Sequence, residues 1–233
     1  MQTIVVAARK GGASKTTLTA HLGVMAQAQG AGPVFFLDTD PQKTLTAWWS
    51  DRADDTPALM EGVSRDQLRG ELANVRSQPG LVFIDTPPLE TGTIGEVMAM
   101  ADLIVIPVRP SPNDFRGVSI TVELARKVGK PFVFVVTQAI ARTGLTQQAG
   151  LILSQFGPVA TSIMHNRVDY AASMTDGRTV QEIDPKGKGA AEIRDLWSYI
   201  SQHLSTAVIQ QDSTDATQRA SNKPVRHVAG ATR

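Results

Sequence analysis

A glycine-containing loop near the start of the chain carries the first residues that could do chemistry. It reads Arg9-Lys10-Gly11-Gly12-Ala13-Ser14-Lys15-Thr16-Thr17 and lies between a short apolar run and an amphipathic segment. Such a loop between a strand and a helix directs backbone N–H groups and the helix N-terminus at phosphate oxygens. In that arrangement Lys15 reaches the β- and γ-phosphates, and the Thr16 hydroxyl is a ligand of Mg²⁺. The loop therefore predicts binding of a nucleoside triphosphate together with magnesium.

Acidic residues end two further apolar runs. One run is followed by Asp38-Thr39-Asp40-Pro41-Gln42, and the other by Asp85-Thr86-Pro87-Pro88. Taken alone, the first stretch is more typical of a strand-ending turn, and an apolar run ended by aspartate is a weak signal. The order of the three motifs, each at the end of a predicted strand, favours one shared site, because ligands bind at the carboxyl ends of parallel strands. An aspartate placed like Asp85 holds Mg²⁺ through water.

Together these motifs resemble those of the ParA/MinD family of P-loop ATPases with a deviant Walker A motif, and most of all the small ParA partition proteins. That family has an additional lysine near the start of the loop, which corresponds to Lys10. The resemblance implies that Lys10 crosses a dimer interface and neutralises charge on the partner's nucleotide, as an arginine finger does. It implies catalytic roles for Lys10, Lys15 and Asp40, with Asp40 orienting or deprotonating the attacking water. The implied magnesium residues are Thr16, Asp85 and, nearer the outer shell, Asp38.

One loop residue departs from the family pattern. Ser14 stands where these proteins usually have glycine. If the position needs a positive φ, serine costs about 1 kcal/mol there. We therefore expect ATP affinity or turnover to differ from that of relatives with glycine.

Matches farther along the chain are weaker, although the resemblance extends over about residues 1–204. Residues 106–114 are similar to the proline-rich loop of small ParA proteins at their dimer interface, and Asp114 is also placed to cap the helix that follows. In relatives, the position of Gln138 contacts adenine, and the Asp184-Pro185 turn would flank the base. The expected nucleotide contacts are thus Lys10, Gly11, Gly12, Ala13, Ser14, Lys15, Thr16, Thr17, Gln138, Asp184 and Pro185.

The elements that position these motifs alternate between buried strands and amphipathic helices. Apolar strand-like runs occupy residues 3–8, 33–38, 81–85, 103–108 and 132–137, and helical patterns cover 15–29, 114–128, 145–156 and 189–204. Runs that are apolar throughout predict strands covered on both faces. We predict a single α/β P-loop domain over residues 1–204, with a doubly wound, mostly parallel sheet flanked by helices. Residues 50–78 are expected to be helical without a clear strand.

Composition limits the remaining possibilities. Residues 205–233 have few large apolar side chains, so we expect a disordered polar tail. The chain has no cysteine, which excludes thiolate metal sites, iron–sulfur ligation and therefore a nitrogenase-type reductase. No apolar stretch approaches the roughly 20 residues of a membrane span, and no secretory signal pattern is present, so a cytoplasmic protein is expected.

Charge is nearly balanced, with 23 Lys and Arg against 22 Asp and Glu, so binding to nucleic acid requires a local patch. In ParA relatives, basic residues near the C-terminus bind DNA without sequence preference. The corresponding candidates are Arg167, Arg178, Lys186, Lys188 and Arg194. The alternative that these five residues are ordinary solvated surface stays open.

The resemblance implies a nucleoid-associated switch that forms an ATP-dependent homodimer, binds DNA non-specifically and positions plasmid or chromosome DNA. A ParB-like or other cargo adaptor would stimulate its slow hydrolysis of ATP. Alternatives are a relative that moves another cargo, such as a carboxysome, chemoreceptor cluster or transfer complex, and a MinD-like membrane switch. The tail favours no stable membrane insertion, because it lacks a bulky apolar face. A carboxylating synthetase on the same scaffold usually lacks the equivalent of Lys10.

Overall fold

The computed structural model describes residues 1–88 and 94–221 and contains one parallel sheet. Its strands are β1 (Gln2–Val6), β2 (Val34–Asp38), β3 (Ala58–Leu59), β4 (Leu81–Asp85), β5 (Leu103–Val108) and β6 (Phe132–Val136). They are arranged in the order β3-β2-β4-β1-β5-β6, and every pair is parallel. Successive strands are therefore added first on one side of β1 and then on the other. Ligands bind at such a reversal of strand order in parallel sheets.

Helices cover both faces of the sheet. They are α1 (Lys15–Ala28), α2 (Thr44–Ser50), α3 (Arg65–Val75), α4 (Ile94–Met98), α5 (Pro112–Lys127), α6 (Gly144–Ser154), α7 (Val168–Ser173), α8 (Val180–Ile183) and α9 (Lys188–Ser221), with a 3₁₀ turn at Met174–Asp176. Successive β1 side chains point to opposite clusters, so that Ile4 packs with α1 and α9 while Val5 packs with α4 and α5. Burial on both faces explains why the strands are apolar throughout. The predicted fold class is confirmed.

Two predicted boundaries differ from the structure. The expectation that residues 50–78 lack a strand is wrong, because Ala58 and Leu59 pair in parallel with β2. This strand has only 2 residues, which is too short to give a recognisable strand pattern in the sequence. The last helix was expected to end near Leu204 but continues to Ser221. The division into a domain and a disordered tail stays a prediction, and residues 222–233 of that tail lie outside the described residues.

Strand register brings the acidic motifs together. Asp38 at the end of β2 is the register partner of Asp85 at the end of β4, and Asp85 is also level with Val6 at the end of β1. The glycine-containing loop leaves from β1. The three predicted motifs therefore meet at one edge of the sheet, as the sequence predicts. Within the described parts of the chain, no helix has both the length and the hydrophobicity of a membrane span.

Candidate nucleotide-binding site

The phosphate loop joins the end of β1 to the first turn of α1. Gly12 and Ser14 both adopt the left-handed conformation, with φ of 72° and 64°. Ser14 is the N-cap residue of α1, yet its side chain makes no hydrogen bond to the N–H groups of the first turn. Those groups have no partner within their own helix and can bind an anion. The loop thus has the backbone geometry of a phosphate site, and the positive φ that penalises serine at position 14 is present.

Lys15 is the buried cation of the loop. Its side chain lies against the sheet edge, with 7% of the residue exposed, and its Nζ donates to the backbone oxygen of Lys10 at 3.3 Å. Burial lowers the pKa of Lys15, while the nearby carboxylates of Asp85 and Asp40 act in the opposite direction. An ammonium group has three donors, and one long contact leaves it capacity to bind a phosphate.

Thr16 and Asp85 form the candidate magnesium pair. The Thr16 hydroxyl donates to Oδ2 of Asp85 at 2.6 Å, and Asp85 is completely buried. Burial raises the pKa of Asp85 to about 7, although the hydrogen bond from Thr16 opposes that shift. Its other oxygen, Oδ1, has no hydrogen-bond partner among the described residues. A hydroxyl and a carboxylate with a free oxygen are the hard ligands that Mg²⁺ takes together with phosphate and water. The residues therefore fit this ion, which when bound would neutralise negative charge on the phosphates.

Asp38 and Asp40 lie beside this pair in different environments. Asp38 accepts hydrogen bonds from the backbone N–H of Asp40 at 3.0 Å and from both the N–H and the hydroxyl of Thr46, at 2.9 and 3.0 Å. It therefore fixes the turn between β2 and α2, and its role near the metal stays a prediction. Asp40 is half-buried and accepts the N–H of Gln42 at 3.0 Å. Its carboxylate is close enough to Lys15 to affect the pKa of that lysine.

Lys10 lies at the mouth of the loop beside a buried acidic residue. Its Nζ is 4.0 Å from Oδ1 of Asp114, and its side chain is 38% exposed. Asp114 also accepts from the Arg109 guanidinium at 3.0 and 3.3 Å and from the Ser111 hydroxyl at 2.6 Å. Ser111 is the N-cap of α5 and accepts the N–H of Asp114. The proline-rich loop therefore carries the acid that contacts Lys10.

Arg109 and Gln138 contact the phosphate loop in ways that sequence reasoning did not assign. Arg109 lies next to the α-carbon of Gly12, so that a Cβ added to this glycine would be 3.5 Å from its guanidinium. The Gln138 amide donates to the backbone oxygen of Gly12 at 2.8 Å and to the Ser14 hydroxyl at 2.7 Å. Its predicted contact with adenine stays untested. The signal for Arg109 is its position in the proline-rich loop that the resemblance had already singled out.

Threonines follow three of the strands that end at the site. Thr39, Thr86 and Thr137 come directly after β2, β4 and β6. Their hydroxyls donate to the backbone oxygens of Asp85 at 2.7 Å, Val6 at 2.8 Å and Ala13 at 3.2 Å. Each bond joins its strand end to a neighbouring strand or to the phosphate loop. The sheet edge below the candidate site is thus held by side chains as well as by backbone pairing.

A buried histidine supports the helix that begins at the phosphate loop. His21 of α1 is completely buried, and its Nδ1 lies 2.7 Å from the backbone oxygen of Thr17. Its Nε2 is 3.3 Å from the Ser173 hydroxyl, and its ring meets that of Tyr170 edge to face. Burial lowers the pKa of His21 to about 4, although the bond to Thr17 opposes the shift. The neutral ring therefore connects α1 to α7.

Asp184 and Pro185 lie at the end of α8, before α9 begins. Oδ1 of Asp184 accepts the N–H of Lys186 at 3.2 Å, and Asp184 lines a cavity of about 210 Å³ with residues of α7, α8 and α9. In the described part of the chain, no hydrogen bond joins either residue to the phosphate loop. Their predicted contact with the base stays a prediction.

Arg167 is a predicted DNA contact whose charge is already compensated. Its guanidinium donates twice to Glu192, at 3.0 and 2.5 Å. The same carboxylate is bonded to His165 Nδ1 at 2.8 Å and to the Tyr170 hydroxyl at 2.9 Å. These contacts hold the segment before α7 against α9, so Arg167 stabilises the packing of these two segments.

The remaining DNA candidates lie near the start of α9 and before α8. Arg178 is paired with Asp176 at 2.6 Å on the surface. Arg194 donates to a backbone oxygen in the turn before α9 at 2.9 Å. Lys186 and Lys188 are exposed, and neither forms an ion pair with a described residue. These two lysines are consequently the candidates whose charge is most available to phosphate.

The fold and the site define a P-loop nucleotide-binding domain: a parallel sheet whose first strand ends in a phosphate loop, with an aspartate beside the loop's threonine. Residues 4–181 match the family described as the CobQ/CobB/MinD/ParA nucleotide binding domain. The chain belongs to this family, and the predicted ParA/MinD kinship is confirmed. It is accordingly a nucleotide-binding ATPase domain of the ParA/MinD type.

Individual relatives agree with this family. The chain is 30% identical over 200 residues to the maintenance of carboxysome distribution protein A of Halothiobacillus neapolitanus, covering 82% of this chain and 91% of the relative. It is 31% identical to protein ParA of Rhizobium radiobacter, over 49% of this chain and 51% of that protein. Its fold matches that of the septum site-determining protein MinD from Pyrococcus horikoshii, complexed with Mg-ADP, with a TM-score of 0.71 at 15% identity, covering 88% and 98% of the two chains.

Proposed function

We propose that this protein is an ATP-driven switch that dimerises around two nucleotides, binds DNA non-specifically and positions DNA in the cell. The observation that carries the proposal is the position of Lys10. It extends from the mouth of the phosphate loop, is partly exposed and is 4.0 Å from Asp114 instead of reaching into its own loop. A cation at the mouth can be supplied to a nucleotide on a second subunit, where it would stabilise the charge that develops during phosphoryl transfer.

Hydrolysis in this proposal is slow and is stimulated by a partner. Lys15 and Thr16 bind Mg-ATP, and Asp40 orients the attacking water. A dimer acts as a timer only if it persists, so unstimulated turnover is low until a ParB-like or other cargo adaptor binds. The ADP-bound protein then separates and leaves the nucleoid.

Contact with DNA in this proposal depends mainly on Lys186 and Lys188, because their charges are exposed and unpaired within the described residues. Dimerisation would double the number of such lysines on one particle. Phosphate contacts of this kind carry no sequence information and weaken steeply as salt rises.

The test is a gel-shift titration on random-sequence duplex DNA with ATP, with ADP and without nucleotide, at two salt concentrations. We expect a shift with ATP alone, which weakens at the higher salt. The double variant Lys186→Ala/Lys188→Ala should lose it, whereas Lys127→Ala, an exposed lysine at the end of α5, should keep it. Persistence of the shift in the double variant would refute these contacts, and an equal shift with ADP would refute the switch.

A second candidate is a switch of the same kind that positions a protein assembly. It is favoured by the 30% identical relative whose name refers to carboxysome distribution. The two candidates share ATP binding and dimerisation and differ in cargo. Pull-down of an adaptor by the ATP-bound form, followed by identification of what that adaptor binds, separates them.

A further inference from the structure

Two non-glycine residues in the left-handed conformation contact each other at the phosphate loop. Ser14 has φ of 64° and Gln138, just beyond β6, has φ of 51°. The Gln138 amide nitrogen lies 2.7 Å from the Ser14 hydroxyl and 2.8 Å from the backbone oxygen of Gly12. A carbonyl oxygen only accepts, so the amide must present its nitrogen to Gly12, and the Ser14 hydroxyl then accepts from the same group.

We infer that Gln138 is a positioning residue, which holds the Ser14 hydroxyl away from the N–H groups that bind phosphate. This inference rests on the proposed binding of ATP. Serine at an N-cap position ordinarily uses its hydroxyl to accept an N–H of the first helical turn. In this protein that bond is absent: Ser14 is the N-cap of α1, but its backbone is left-handed, whereas a capping serine is typically extended, and its hydroxyl is instead bonded to Gln138.

The two possible partners of the Ser14 hydroxyl have opposite consequences for a nucleotide. When the hydroxyl accepts from Gln138, the first-turn N–H groups of α1 stay open to phosphate oxygens. When it accepts from one of those N–H groups, it competes with the ligand. A glycine has no hydroxyl and poses no such competition, so the need for Gln138 arises from the serine.

Thr137 provides a matched control, since it also joins the end of β6 to the loop. Its hydroxyl donates to the backbone oxygen of Ala13 at 3.2 Å and does not bond to Ser14. A residue that only stabilises the loop should have the same effect whatever stands at position 14. Gln138 should not.

The experiment is a double-mutant cycle that measures the affinity for Mg-ATP by calorimetry. Gln138→Ala should weaken binding about 5-fold, the value of one capping hydrogen bond of about 1 kcal/mol. In a Ser14→Gly background the loss caused by Gln138→Ala should be clearly smaller, because only the bond to the Gly12 backbone oxygen is then removed. Thr137→Val should have equal effects in both backgrounds. Thermal unfolding of each variant without nucleotide reports whether it folds.

Three results would overturn the inference: equal losses from Gln138→Ala in both backgrounds, no loss in either, or unequal effects of Thr137→Val. Equal losses would indicate that Gln138 acts through its bond to Gly12 or by direct contact with the nucleotide, and not through Ser14. A wild-type protein and a Ser14→Gly variant that both fold and both fail to bind Mg-ATP would overturn the proposed function itself. The two failures are therefore distinguishable.

Discussion

The Lys10 ammonium lies 4.0 Å from Oδ1 of Asp114 within the same chain. Asp114 does not depend on it, because Arg109 and Ser111 already bond to the same carboxylate. A pair with one exposed partner is worth roughly 1 kcal/mol or less. Lys10 can therefore leave Asp114 for a second subunit at small cost, and the buried acid stays compensated.

Replacing Lys10 should separate nucleotide binding from dimerisation. Lys10→Ala removes the cation at the mouth of the loop but leaves Lys15, Thr16 and Asp85 in place. We expect the monomer to keep its binding of ATP, because the residues that hold the nucleotide within one chain stay in place. We expect no ATP-dependent dimer in light scattering coupled to gel filtration. Lys127→Ala should dimerise normally. Dimers of Lys10→Ala that form as readily as those of the wild type would rule out the role in trans.

Replacing Lys15 should strongly weaken nucleotide binding instead. Lys15→Ala removes the one buried ammonium of the loop, and a hydrogen bond to a charged group contributes about 1.5–3 kcal/mol. We expect the affinity for ATP to fall by about 10- to 100-fold in a fluorescent-nucleotide titration. Tight ATP binding by a folded Lys15→Ala variant would contradict the assignment of the loop.

Asp40 offers a change that should affect turnover alone. Asp40→Ala removes a half-buried carboxylate whose only hydrogen bond within the described residues is to the next turn. We expect this variant to bind ATP, release little phosphate and accumulate as a dimer. Asp55→Ala, an exposed acid in the loop before β3, should hydrolyse ATP like the wild type. Normal phosphate release by Asp40→Ala would mean that a group other than Asp40 orients the attacking water.

His21 should make the stability of the fold depend on pH. Its pKa is lowered to about 4 from an ordinary value of 6.5, so the unfolded chain takes up a proton before the native one does. Its contribution to stability is complete above pH 6.5 and is lost as the pH falls towards 4. We expect the free energy of unfolding to drop by about 2 kcal/mol between pH 7 and 5 through this residue.

Urea titrations at both pH values would measure that drop. His21→Gln should show a smaller decrease than the wild type, and the difference between the two proteins isolates the histidine. His203→Gln, the same substitution at a partly exposed position of α9, serves as the control for replacing a histidine. An unchanged pH dependence in His21→Gln would show that the buried ring does not titrate as expected.

The sequence predicted those parts of the molecule whose physical signals are local. The strand ending at Asp85 has the predicted bounds because every one of its side chains is buried, and an apolar run ended by an acid is visible without a structure. Lys15, Thr16 and Asp85 meet as expected, since parallel strands with adjacent registers must end at one edge.

Contacts between segments that are distant in the sequence could not be predicted from such local signals. Gln138 reaches the loop only because β6 ends beside β5 and its backbone turns into the left-handed region. The ion pair between Arg167 and Glu192 depends on where α9 packs, and no motif or spacing in the sequence predicts it. Strand β3 is short, and its parallel pairing with β2 is made by backbone groups, which all residues share.

The three threonines that follow β2, β4 and β6 add a set of side-chain hydrogen bonds directly beyond the backbone pairing of the sheet. After these threonines the chain enters the loops of the candidate site, and the threonine hydroxyls form hydrogen bonds to backbone oxygens at the ends of β1 and β4 and in the phosphate loop. Two of these bonds join neighbouring strands, and the third, from Thr137, fixes the phosphate loop to the end of β6 at Ala13, one residue before Ser14. The floor of the candidate site is therefore held by one hydroxyl group directly after each of these three strands.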